Sequence, residues 1–303
     1  MQPDITLKSW LSVATLGFVW GASFLFIELG LAAEMTPFWL AAHRILLAAI
    51  LTTAFWQMRG GKLYLTDQRA SHNTLFWIAT MSTALPFMAI TWGQLTVTAG
   101  FAGVSMAAVA LIVLPLAHVL IPGEEMNRRK LLGFVIGFAG VVVLIGPDAF
   151  ASTGLDGELI GRLACLFGAS CYAISSITLR RLPPIDPIGL SAMTLIIGGA
   201  FSILLALFFE GLPGWPSRQA LVVIVILGLV QTAMANLLRI VVVRSAGPTF
   251  MSLTNYQVPV WSVILGILIL GEELNPSLFI AMTLILIGVA LSQWNALRRI
   301  FNS

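Results

Sequence analysis

Charge is what this sequence has least of. Asp, Glu, Lys and Arg make up 10% of its 303 residues, against about 25% in a soluble domain, so a soluble fold of this size has too little polar surface to cover its apolar mass. Three histidines and two cysteines leave no Cys/His cluster, and HExxH pairs and acidic repeats are missing, which argues against an intramembrane metal or lipid enzyme. No GxxxxGK[ST] loop is present, so nucleotide hydrolysis is unsupported. Cys165 and Cys171 stand six apart on one expected helix and fall on different faces, where packing suits them better than a disulfide or a metal pair. No metal and no cofactor are expected, and a net charge of +3 is no footprint for nucleic acid.

What fills the sequence is apolar length. Hydrophobic residues reach 58% and the mean hydropathy is +0.97. Windows of about 20 apolar residues, enough to cross a hydrocarbon core of about 30 Å, recur along the chain with the charges between them. Helices are expected over Leu11–Ala32, Thr36–Gln57, Asn73–Gly93, Val97–Ile121, Leu131–Gly146, Glu158–Arg180, Pro187–Phe209, Gln219–Val243, Pro248–Leu270 and Pro276–Asn295. Asp4 and Lys8 precede the first run and no small-residue cleavage site follows a short apolar core, so an uncleaved first helix is expected rather than a signal peptide.

The basic residues sort by side. Lys8, Arg59, Lys62, Arg69, Arg128, Arg129, Lys130, Arg180, Arg181, Arg244, Arg298 and Arg299 share one face of the expected topology, Arg218 stands on the other, and Arg44, Arg162 and Arg239 lie within helices. Short loops rich in Lys and Arg stay cytoplasmic, so both termini are expected there. Arg162 and Arg239, each about a turn from a helix end, read as snorkelling anchors. Trp10, Trp39, Trp56, Trp77, Trp92 and Trp294 fall near helix ends, where indole rings favour the headgroup level; Trp20 and Trp261 are mid-helix.

The halves repeat. GEEMN at Gly123–Asn127 recurs as GEELN at Gly271–Asn275, Gly21-Ala22-Ser23 as Gly168-Ala169-Ser170, and Thr98-Ala99-Gly100 as Ser245-Ala246-Gly247, at offsets of 148 or 147 residues. A unit with an odd number of spans inserts in opposite orientations each time it occurs, the inverted-repeat signature of secondary carriers. The expected fold is therefore an all-α integral membrane protein of ten transmembrane helices in two inverted five-helix repeats, residues 1–146 and 147–303.

Trp20-Gly21 on the first helix, Arg44 on the second, Pro259 a dozen residues before Glu272, and the Gly-Glu element of both halves resemble the drug/metabolite transporter superfamily, and within it the EamA-type family of ten-helix exporters. The first half departs in having Leu111 where alignment with Pro259 asks for proline, with Pro115 one turn later. The resemblance implies alternating access around a central cavity, with export from the cytoplasm the commoner role; family members of known activity move amino acids, aromatic ones included, and assorted metabolites.

Polar and aromatic side chains at mid-membrane are the default solute contacts. Here they are Ser23, Ser105, Gln231, Asn236, Asn255 and Gln257 with Trp20, Tyr172, Tyr256 and Trp261; the bland alternative is that they glue helices together. Asn255-Tyr256-Gln257 precede Pro259, whose missing N–H frees an upstream carbonyl. Pro86 is a second expected bend. Glu28 and Arg44 read as a charge clasp, structural or gating, with Arg44 receiving a substrate carboxylate as the alternative. His43 reads as packing. Gly133, Gly137 and Gly140 form a small-residue face, for helix packing before dimer contact, so a monomer is expected. With no lysine or arginine expected at mid-membrane to hold phosphates, a mostly apolar, aromatic-bearing cavity with amides and hydroxyls points to neutral or zwitterionic amphiphiles, amino acids foremost. The expected partners are thus a small-molecule solute and membrane lipid. Glu28 and His43 are the candidates for proton coupling, with facilitated transport favoured over it.

Overall fold

The computed structural model describes residues 6–67, 70–121, 126–145, 157–273, 276–294 and 298, apart from the side chains of Ile145, Pro248 and Thr249. Gly123-Glu124-Glu125 and Leu274-Asn275 of the repeated motifs, the expected helix ends at Gly146 and Asn295, the junction between residues 146 and 147, and Asp4, Arg69 and Arg299 lie outside the described residues.

Along the chain run α1 (Leu7–Ala32), α2 (Pro37–Met58), α3 (His72–Gly93), α4 (Ala99–Leu120), α5 (Arg128–Ile145), α6 (Glu158–Leu179), α7 (Pro187–Glu210), α8 (Arg218–Gly247, resuming to Met251), α9 (Thr254–Leu270) and α10 (Pro276–Ser292). Seven of them are long and apolar enough to cross a membrane, and α9 and α10 are shorter apolar helices. The remaining helix, α5, has 18 residues, but Arg128, Arg129 and Lys130 occupy its first turn. No strand forms among the described residues; an isolated bridge between Tyr64 and Ile185 ties two loops together. The protein is an all-helical integral membrane chain.

Helix starts follow local chemistry. Ser71, Thr98, Asp186 and Ser217 accept from the backbone N–H groups of Thr74, Phe101, Gly189 and Ala220, supplying acceptors that the first turn lacks. Pro37, Pro187 and Pro276 begin α2, α7 and α10, where a missing N–H costs nothing. Two further caps come from far away. Glu210, at the end of α7, accepts from Phe38 N (2.9 Å) and Trp39 N (3.1 Å) at the start of α2, and Thr36 donates to it at 2.6 Å. Glu272 accepts from Ala99 N (2.6 Å) and Gly100 N (3.1 Å) at the start of α4.

The boundary between α8 and α9 differs from the expectation. Instead of ending near Val243, the helix runs on, breaks at Gly247 (φ 88, ψ 161), and continues to Met251. Pro248 disfavours a helical residue before it, and glycine takes the left-handed side at little cost. As a result α9 begins at Thr254, and Asn255, Tyr256 and Gln257 fall in its first turns rather than at mid-helix.

Glycines set the helix crossings. At α5 against α10, a methyl group on Gly288 would lie 2.5 Å from both Gly133 O and Gly137 N, so the small-residue face of α5 is spent within the chain. Gln257 covers Gly17, and Trp261 covers Gly21, where α1 crosses α9. Such close approach is how helices gain packing energy in lipid, where apolar burial alone drives little. Two tryptophans expected at the interface turn inward: Trp39 Nε1 donates to Gly211 O (3.0 Å) and Trp56 Nε1 to Lys62 O (3.1 Å).

Candidate functional site

A polar constellation gathers around Arg44, the eighth residue of α2. Two helices are locally widened to reach it. In α3, Leu85 N–H donates to Thr80 O across a π turn over Thr80–Ala84, immediately ahead of Pro86, which cannot make the ordinary helical bond. Pro86 thus comes with a π turn, a device common at functional sites. A second π segment, Ile226–Met234, lies in α8. Gly228 within it lets α8 lie against the backbone of α2: a methyl there would be 3.0 Å from Arg44 O.

These distortions aim side chains at one guanidinium. Thr232 Oγ1 accepts from Arg44 Nε at 2.8 Å and donates to Leu227 O at 2.8 Å. Phe87, next to Pro86, lies under the guanidinium with its ring centre 4.2 Å from Cζ, a cation–π distance. The Tyr172 ring of α6 stands 6.4 Å from Phe87, with its hydroxyl in electrostatic reach of Arg44. Beside Thr232, Gln231 accepts from Ser23 Oγ of α1 at 2.9 Å. Arg44 is 7% exposed, and beyond the bond to Thr232 no hydrogen bond or ion pair reaches it among the described residues. A buried cation without a counter-charge is costly unless another group supplies one.

The expected Glu28–Arg44 clasp does not form, because the two charges point apart. Arg44 is drawn toward α8 and α3. Glu28 lies in hydrogen-bonding reach of Gln94, at the end of α3, and in electrostatic reach of Glu272. Gln94 is 3% exposed; its Nε2 donates to Phe24 O at 2.9 Å. Burial raises the Glu272 carboxyl above its ordinary value, opposed by the hydrogen bonds from Gly100, Ala99 and Thr98.

The remaining expected residues divide. Gln257 and Trp261 lie on α1, with Trp261 edge-on to Phe18 at 5.2 Å. Trp20, Tyr172 and Tyr256 pack against the main apolar cluster, and the buried Tyr256 hydroxyl has no partner among the described residues. Asn236 is half-buried, two residues past the second π segment, and Asn255 is exposed. Ser105 stands apart: fully buried, it donates to Ala102 O at 2.7 Å within α4. His43 holds Trp39 O at 2.7 Å, and Arg162 pairs with Glu158 one turn away. Phe87 and Thr232 were not singled out from sequence; Pro86 beside the one and Gln231 beside the other were the available signals.

The EamA-like transporter family matches residues 7–146 and again 159–294. Over 298 residues the chain is 22% identical to the uncharacterized transporter YoaV of Bacillus subtilis, spanning 97% of this chain and 99% of that one. It is 27% identical over 186 residues to the aromatic amino acid exporter YddG of Ancylobacter novellus, covering 60% of this chain and 62% of that protein. A protein crystal structure 20% identical in sequence superposes with a TM-score of 0.64, covering 96% of this chain and 98% of its own, a likeness of fold. With nearly its whole length matched by the family, and by transporters rather than catalysts, this chain belongs to the EamA-like transporter family and is a membrane transporter, not an enzyme.

Proposed function

We propose that the protein is a secondary carrier that exports small amphiphilic solutes, amino acids and aromatic ones among them, by alternating access between two inverted five-helix repeats. In this reading all ten helices span the cytoplasmic membrane, both termini are cytoplasmic, and the chain acts as a monomer. The basic residues clustered on one face support that orientation. The repeat is supported by packing, since α1 lies on α9 as α6 lies on α4. Two of the three π segments among the described residues also correspond: Thr80–Ala84, moved on by the 147-residue offset, becomes 227–231, inside Ile226–Met234, whereas Gly266–Leu270 has no such counterpart.

The observation that carries the substrate class is Arg44, buried, held at Nε by Thr232 and stacked on Phe87, with its terminal N–H groups unused. A planar fork of donors fits a carboxylate, and its single positive charge matches an amino-acid carboxylate better than a phosphate dianion. Phe87 and Tyr172 offer aromatic faces for a side group. The likeness to the aromatic amino acid exporter YddG points the same way.

Counterflow of radiolabelled phenylalanine in proteoliposomes tests this, with phenylalanine, its amide and a sugar phosphate as competitors. The wild type should be inhibited by phenylalanine and ignore the amide and the sugar phosphate, whereas Arg44→Met should lose the distinction between acid and amide. Equal competition by the sugar phosphate, or an unchanged preference in Arg44→Met, would sink the proposal.

A further inference from the structure

The second half of α8 carries an arginine for which the Arg44 constellation has no use. Residues 235–246 form regular α-helix ahead of the break at Gly247, so their faces follow from a turn of about 100° per residue. One face looks outward: Met234, Val241 and Ser245 are exposed along a single stripe. A second, with Ala235, Val242 and Ala246, packs with Val13 and Leu16 of α1. A third, with Leu237 and Ile240, packs against Trp56 of α2 and Ile188 and Ala192 of α7.

Arg239 belongs to none of the three. It stands about 140° round the helix from the outward stripe, and Asn236, one turn before it, about 160°. Both lie in the sector flanked by α1 on one side and by α2 and α7 on the other, which faces the middle of the bundle. Asn236 is half-buried there, and Arg239 is exposed. A side chain on the inward sector that is nevertheless exposed meets open space between the helices. A snorkelling anchor, the role suggested by the sequence, needs the lipid-facing stripe; the structure puts Arg239 on the other side of its helix. No hydrogen bond or ion pair reaches it among the described residues, and the carboxylate of Asp186 is taken by Arg244 at 3.5 Å. An ionisable group within a span that faces the interior without a protein partner marks the path of an ion or solute. Arg239 lies two turns beyond Thr232, about 10 Å along the axis, between the residue that holds Arg44 and the cytoplasmic end of α8 in the orientation proposed above.

We infer that Arg239, with Asn236 beside it, is a second carboxylate-binding station in the transport path, which receives the solute on the cytoplasmic side of Arg44. The inference rests on the carrier reading above and deepens it. The guanidinium offers the donor fork that a carboxylate takes, and the Asn236 amide oxygen is an acceptor for the ammonium group of an amino acid. The two arginines are too far apart for one carboxylate to touch both, so they act in turn. Charges in an exposed setting are screened more than buried ones, so the carboxylate is held loosely at Arg239 and more firmly at Arg44, and the solute moves inward. A positive charge at the entrance also attracts anionic groups and repels cations. Organic cations that lack a carboxylate are thereby turned away before they reach Arg44.

Charged thiol reagents test the station without any transport. Asn236→Cys places a thiol one turn from Arg239 on the same face, while the native Cys165 and Cys171 are buried. In the reconstituted protein this thiol should react with membrane-impermeant methanethiosulfonates. Normalised to a small free thiol, the anionic ethylsulfonate reagent should react about fivefold faster than the cationic trimethylammonium one. Arg239→Gln in that background should abolish the preference and Arg239→Lys should keep it, and Met234→Cys on the outward stripe should react with neither reagent. An Asn236→Cys thiol that neither reagent reaches, equal normalised rates with the two, a Met234→Cys thiol as reactive as Asn236→Cys, or a preference that survives Arg239→Gln would overturn the inference. In counterflow, Arg239→Gln should raise half-saturating phenylalanine about tenfold and Arg239→Lys by less than about threefold; wild-type half-saturation in Arg239→Gln would also overturn it. The flux arm presupposes the carrier function proposed above and the labelling arm does not, so a wild type without flux whose labelling follows the expected pattern counts against the carrier reading alone.

Discussion

Thr232→Val is the sharpest probe of the Arg44 constellation, since it keeps the shape of the side chain and removes one oxygen. That oxygen is the acceptor for Arg44 Nε and the donor to Leu227 O. A hydrogen bond to a charged group contributes about 1.5–3 kcal/mol, and each ~1.4 kcal/mol is tenfold in an equilibrium constant. If Thr232 holds the guanidinium in the pose that meets a carboxylate, half-saturating phenylalanine in counterflow should therefore rise about ten- to a hundredfold. Thr232→Ser, which restores the hydroxyl, should stay within about threefold of the wild type, well inside one such hydrogen bond. Because both residues act as one unit, Thr232→Val combined with Arg44→Met should be little worse than Arg44→Met alone. A Thr232→Val carrier with wild-type half-saturation would refute the reasoning, as would additive losses in the double variant.

Two further outcomes follow from packing and charge. Gly288→Ala puts a methyl 2.5 Å from backbone atoms of Gly133 and Gly137, which cannot rotate away, so it should destabilise the fold by about 1–3 kcal/mol; a thermal-unfolding midpoint in detergent equal to the wild type would contradict the crossing. Burial holds Glu272 above its ordinary carboxyl value, so the folded state binds a proton more tightly than the unfolded chain. Its contribution to stability should therefore be present at low pH and decline as pH rises from the ordinary carboxylate range through the raised value. Glu272→Gln should flatten that part of the stability–pH curve; an unchanged slope, or stability rising with pH, would exclude the sign.

The helices were legible because their signals are local. Pro37, Pro187 and Pro276, and the capping residues Ser71, Thr98 and Ser217, mark starts within a residue or two of those observed. The end of α8 was misplaced because Gly247 and Pro248 announce a break without saying that helix resumes beyond it. The site was only partly legible. Arg44, Ser23, Gln231 and Tyr172 stood out as polar or aromatic groups in apolar runs. That Arg44 turns to Thr232 and Phe87 instead of Glu28 depends on the π segments, which shift the facing of every residue after them, and on Gly228, which sets how close α2 and α8 lie. Neither leaves a periodic trace in sequence.

The two borrowed caps bear on how the molecule is made. α2 and α4 emerge early in synthesis, yet the carboxylates that satisfy their first turns, Glu210 and Glu272, belong to the second half of the chain. Until those later segments are inserted, exposed N–H groups at the starts of both helices must find water or lipid headgroups. The first turns of these early helices are therefore completed only once later segments of the polypeptide, the end of α7 and the link between α9 and α10, are in place.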